Sequence, residues 1–215
     1  MAAELGLRER KKLQTRQLIF ETATRLFAER GFEAVTVADV ARAADVSDVT
    51  VFNYFPTKED LFFEGMQAFE ERLIEGVRHR APGESAPAAF RRVLLESSSR
   101  LGDEKNHAVI VRAATLIGSS PALQAREREV VARYTEQLAI VLAEETSARR
   151  DDVEPWSVAG ALMGAHRALV ENVRRRVLEG RRGAQLEAEA RSQIKRAFAP
   201  LERGLAGYAV KVDRG

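Results

Sequence analysis

Cysteine is absent from the 215 residues, which removes disulfides, thiolate metal ligands and thiol nucleophiles together. Histidine occurs only as His79, His107 and His166, and no His-x-x-x-His pair or phosphate-cradling glycine loop is present. We therefore expect no metal, no cofactor and no enzymatic activity. No stretch approaches the roughly 18 uninterrupted apolar residues of a membrane helix. A charged segment stands where a signal peptide would have its apolar core, so a soluble, cytoplasmic protein without a membrane partner is expected. Asn-Gly and Asp-Gly hairpin turns are missing and β-branched runs are short, which leaves no strand worth assigning.

A large charge imbalance is lacking too, since the net charge is +2. Residues 1–20 carry Arg8, Arg10, Lys11, Lys12 and Arg16 against Glu4 and Glu9, a surplus of +3. Residues 21–60 carry four basic side chains against eight acidic ones, a balance of −4. Any contact of that second segment with a polyanion must rest on geometry rather than bulk charge.

What is present is helical pattern: alanine, leucine, glutamate and arginine dominate, and 45% of residues are hydrophobic. A first helix is predicted to run to about Arg30, with Leu18, Ile19, Ala23, Leu26 and Phe27 on one face and Gly31 at its end. Thr36, with Asp39 three residues on, forms a capping-box pattern for a short helix through Ala44, and Asp45 and Val46 make a turn. Ser47 caps a second short helix that ends near Phe55 because of Pro56. From Thr57 a long helix follows, with Leu61, Phe62, Met66, Phe69, Leu73, Ile74 and Val77 at three-and-four spacing. Further helical segments are predicted at about 87–101, 107–118, 121–147, 154–180 and 184–210, the last two as an antiparallel hairpin.

Two short helices joined by a tight turn and buttressed by a longer one describe a helix-turn-helix, whose second short helix enters the major groove of DNA. The run TVADVARAADVS from Thr36 to Ser47, followed by TVFNYFPTKEDL from Thr50 to Leu61, closely resembles the signature of TetR-type regulators. The resemblance is specific over roughly residues 13–62 and architectural beyond. It implies an all-α chain, with a three-helix DNA-binding domain over residues 1–56 and a larger helical ligand-binding and dimerisation domain over residues 57–215. It implies that Thr36 meets a phosphate through its hydroxyl and backbone N–H, and that Ser47, Thr50 and Asn53 face the groove. Tyr54 and Lys58 would clamp the backbone, and the arm residues Arg10, Lys11 and Lys12 would supply cations. Two positions depart from the pattern: Asp45 stands where glycine is common, and Phe52 replaces a tyrosine whose hydroxyl would reach phosphate. Asp48, at the start of the reading helix, either favours the helix N-terminus or accepts from a cytosine amino group.

Pockets between helices are mostly apolar with a few orienting polar groups, so Met66, Phe69, Phe90, Arg112, Leu116, Trp156 and His166 are candidates for contact with a small-molecule effector. Most can equally be core. Arg112 sits in the apolar run 108–117, where its cation requires an acidic partner, an anionic ligand or solvent. The last two helices are read as the surface of a homodimer through Met163, Val170, Ile194, Phe198, Leu201 and Leu205, with Gly160, Gly164 and Ala168 permitting close approach. The expected activity is that of a regulator that binds a pseudo-palindromic operator in double-stranded DNA as a dimer, most simply a repressor released by a ligand. A ligand-independent activator, or a regulator controlled by a protein partner, is the alternative, and cavity volume within residues 60–180 discriminates between them.

Overall fold

The computed structural model describes residues 6–149 and 151–211. Their architecture is all-α: α1 (Leu7–Arg30), α2 (Val37–Ala43), α3 (Asp48–Tyr54), α4 (Lys58–Arg78), α5 (Ala86–Ser97), a 3-10 turn (Ser98–Leu101), α6 (Glu104–Ser119), α7 (Pro121–Thr146), α8 (Glu154–Leu178) and α9 (Gly183–Gly204). No single helix among the described residues is long and apolar enough to cross a membrane. The boundaries follow local chemistry. Thr36 with Asp39, and Thr57 with Asp60, form reciprocal capping boxes at the starts of α2 and α4. Ser47 and Ser120 cap α3 and α7, and Pro121 occupies the first turn of α7, where its missing N–H is harmless. The predicted last helix stops early, at Gly204. The chain beyond it turns back, and Lys211 and residues 83–84 exchange backbone hydrogen bonds of 2.8 and 3.2 Å.

Two hydrophobic cores form. The larger is built from α4, α5, α7, α8 and α9 around Leu73, Phe90, Leu138, Leu142 and Phe198. The smaller lies under the helix-turn-helix, where Phe27, Phe32 and Phe62 make an aromatic cluster with centroids 5.1 to 6.5 Å apart. On α1 the buried stripe contains Ile19, Ala23, Leu26 and Phe27, whereas Leu18, expected among them, is 48% exposed because it points one position off the stripe.

The smaller core does not stop at residue 56. It takes Leu61 and Phe63 from α4, and also Ile117 and Leu123 from the corner between α6 and α7. Polar ties reinforce the same junction: Ser120 Oγ donates to Glu33 at 2.5 Å, and Arg126 pairs with Asp60 at 2.6 Å. The chain boundary expected between residues 56 and 57 is therefore not a packing boundary.

Three residues expected in a dimer face are also corrected. Met163, Ile194 and Phe198 are 2%, 5% and 0% exposed in the single chain, because the apolar faces of α8 and α9 close on their own protomer. Leu201 and Leu205 are half-buried against that core, and Val170 is half-buried as well.

Candidate DNA-reading head and effector cavity

The capping of α2 decides what Thr36 offers. Its hydroxyl and its backbone N–H both donate to Asp39 Oδ2, at 2.6 and 3.0 Å, and Asp39 N–H returns a bond to Thr36 Oγ1 at 3.1 Å. Those hydrogen bonds from Thr36 hold the Asp39 carboxyl below its ordinary value. In the free chain an internal anion therefore occupies the two donors that a phosphate would meet. The N–H groups of Val37 and Ala38, in the turn that follows, have no helical partner and remain suited to phosphate.

The turn between α2 and α3 passes through Asp45 at φ +54°, the left-handed region, and closes with Val46 N–H donating to the Ala41 carbonyl at 3.0 Å. Val40, Ala41, Ala44 and Val51 are buried at the crossing of the two helices, where small side chains let the backbones approach. Ser47 Oγ accepts from Thr50 N–H at 3.1 Å, so Ser47 and not Asp48 is the cap. Asp48 is left exposed in the first turn, where its charge suits the helix dipole. Asn53 is exposed, whereas Thr50 and Tyr54 are half-buried. Arg10, Lys11 and Lys12 are exposed and belong to the opening turns of α1.

Lys58, expected at the DNA backbone, acts in the free chain as a brace. Its ammonium donates to the Phe32 carbonyl at 3.0 Å and lies 4.2 Å from the Phe32 ring centre. Arg16, counted in the basic arm but not singled out, does more: it meets both carboxylate oxygens of Glu64 on α4, donates to the Tyr54 carbonyl at 3.2 Å and covers the Phe55 ring at 4.7 Å. One side chain thereby joins α1, the end of α3 and α4. The signal for it was a lone arginine one turn above the Ile19 stripe, with Glu64 on the next long helix.

Behind the head lies a mainly apolar cavity of about 540 Å³. Met66, Phe69, Arg112, Leu116 and His166 line it, as do Val170 and Ile194, which had been assigned to the dimer face. Phe90 does not line it: the side chain is fully buried and stacks on Phe198 with centroids 5.8 Å apart. Trp156 is also excluded, being 46% exposed on the outside of α8. His166 is nearly buried, packs 5.6 Å from the Phe69 ring and places Nε2 3.3 Å from Glu70 Oε1. Arg112 is exposed, and no hydrogen bond or ion pair engages its side chain among the described residues. It also lines the neighbouring outer cleft with Glu21 and Glu29 of α1. Sequence reasoning missed the part of the cavity wall formed by Phe20, Thr24 and Phe27 of α1, and also lining residues on other helices such as Ile110, Asn172 and Gln193.

On the outer side of α8, Gly160 and Gly164 face open space, with nothing within 4 Å of where a Cβ would stand. With Trp156 and Ala168 they form an exposed face of small residues and one large ring.

Comparison with known proteins agrees with this arrangement. The model for bacterial regulatory proteins of the tetR family matches residues 19–64, and a model of the MftR C-terminal domain matches residues 84–206, more than half of the chain. The regulator TcmR of Streptomyces glaucescens is 34% identical over 93 residues, 41% of each chain. The fatty acid metabolism regulator protein of Bacillus subtilis is 30% identical over 130 residues, 59% of this chain and 65% of the relative. These matches thus span about two fifths and about two thirds of the relatives' lengths. The crystal structure of FadR from Bacillus subtilis in complex with stearoyl-CoA shares the fold, with a TM-score of 0.54 at 23% identity over 85% of this chain and 97% of that one. With models for the head and for the helices behind it both matched, the chain belongs to the tetR family of bacterial regulatory proteins and is a transcription regulator.

Proposed function

We propose that the chain acts in the cytoplasm as a repressor that grips a pseudo-palindromic operator as a homodimer and releases it when a small molecule fills the cavity behind the head. The observation that carries this reading is the shared wall: Phe20, Thr24 and Phe27 of α1 and Met66 and Phe69 of α4 line the cavity, and the same two helices contribute to the core that underlies α2 and α3. A ligand weakens DNA binding only by binding the released conformation more tightly than the DNA-competent one, and a pocket walled by the head's own helices provides that difference. The cavity volume of about 540 Å³ favours a ligand-responsive regulator over the ligand-independent alternative, for which a filled core is expected. The lining suits an apolar effector with an anionic group reaching Arg112, and one relative carries the name of a fatty acid metabolism regulator. The exposed face with Gly160, Gly164 and Trp156 is suited to pack against its own copy, because glycines allow close helix approach. Two such heads about 34–36 Å apart match half-sites on successive turns of DNA.

The test is selection of genomic fragments by the protein, beside a variant with Asn53→Ala and Tyr54→Ala. A palindrome enriched by the first and lost by the second is expected. Enrichment that survives in the variant contradicts the assignment of α3. With the operator known, effectors from the neighbouring pathway are assayed for release, and Arg112→Met abolishes the response to an anionic effector while leaving operator binding intact.

A further inference from the structure

The reading helix exposes two apolar side chains that packing does not explain. In α3 only Val51 is buried, whereas Val49 is 68% exposed and Phe52 48% exposed. Val49, Phe52 and Asn53 stand at i, i+3 and i+4, so they share one helix face. That face holds no cation: the helix reads DVTVFNY, and its single charge is Asp48. Neither Val49 nor Phe52 has a polar atom to offer a phosphate, so their exposure gains nothing from the DNA backbone.

We propose that α3 recognises adenine–thymine pairs, with Val49 and Phe52 seated on thymine methyl groups and Asn53 hydrogen-bonded to adenine. This rests on the reading that α3 enters the major groove. Within that groove the C5-methyl of thymine is the one apolar group that a base edge presents, and adenine N6 and N7 are the atoms that a side-chain amide meets with two hydrogen bonds. The apolar and amide elements of the face therefore select the same kind of base pair. An uncharged face also places most of the electrostatic attraction on the arm residues Arg10, Lys11 and Lys12, which attract phosphate without regard to sequence. The division is chemical: the cations on α1 hold the duplex, and the apolar patch on α3 chooses the register.

The experiment replaces thymine by uracil, one position at a time, in the operator selected by the wild-type protein. This deletes a methyl group and leaves every hydrogen-bonding edge in place. Binding is followed by fluorescence anisotropy. At one or two positions in each half-site the replacement weakens binding about fourfold, as expected for one buried methyl group. At those positions Val49→Ala or Phe52→Ala binds the thymine and uracil operators equally. The wild-type measurement does not depend on how the variants fold, and both substitutions are at exposed positions.

Affinity unchanged by uracil at every position overturns the proposal while leaving α3 as a DNA-binding helix. A uracil effect that persists undiminished in both variants overturns it as well, since the methyl is then met elsewhere. Failure of the wild-type protein to select any DNA sequence removes the underlying reading too, and would leave the patch as a contact for a protein.

Discussion

Arg16 grips Glu64 with two nitrogens while its third reaches the carbonyl of Tyr54, the last residue of the reading helix. The pair is part-buried, so its strength lies between that of an exposed ion pair and that of a charged hydrogen bond in the interior. Its geometric effect is larger than its energy, because it sets the end of α3 against the long helix that borders the cavity.

Arg16→Met keeps the aliphatic stem and removes the charge. It is expected to lower stability by only about 1 kcal/mol. Operator affinity falls beyond what that loss explains, because the reading helix is no longer held at one angle. Denaturant unfolding and operator titration together check this. Equal affinity in the variant and the wild type would show that the pair has no positioning role.

Leu123 lies in the core of the head, although it belongs to α7. Leu123→Ala should cost about 2–5 kcal/mol, and so should Leu138→Ala in the larger core. The two differ in function: the first loosens the seat of the helix-turn-helix and weakens operator binding, and the second leaves it nearly unchanged under conditions where both variants are folded. Parallel losses of affinity in the two would contradict a specific junction.

Asp60 links the cap of α4 to Arg126 on α7. Burial disfavours its charge, but hydrogen bonds from Thr57 and Arg126 outweigh that and hold the carboxyl below its ordinary value. A carboxyl depressed on folding contributes stability above its unfolded value, near 4, and the contribution is lost as pH falls through the lower folded value. Asp60→Asn should therefore lower the melting temperature at pH 7, and the gap to wild type should close below about pH 4. A gap of constant size from pH 7 to pH 3 would rule out the titration of Asp60 as its source.

The caps were legible because they are local. Thr36 with Asp39 and Ser47 at the start of α3 act over three residues, so spacing alone exposes them, and Thr57 with Asp60 repeats the same pattern at the start of α4. Periodicity also located the apolar side of α4, but it could not divide that side. The assigned stripe left out Phe63, which is buried in the head core; of the residues it did contain, Leu61 joins that core, while Phe62, Met66 and Phe69 border the cavity. A helical stripe records what avoids water and not what it meets. For the same reason Met163, Ile194 and Phe198 were assigned to a partner chain before the fold placed them in their own core. The ties that join the head to the helices behind it link residues 87 apart for Ser120 with Glu33 and 66 apart for Arg126 with Asp60, separations at which no spacing rule operates.

The head core that runs through Ile117 and Leu123 bears on how regulators of this design can be recombined. A chimera spliced after residue 56, joining this reading head to a foreign sensor, would leave behind the side chains that form the floor of the head. The exchangeable unit is discontinuous: it comprises residues up to about Phe63 together with the corner around Ile117 to Leu123. Grafting both pieces transfers a head with its seat, whereas grafting the first alone transfers a helix-turn-helix with an open underside.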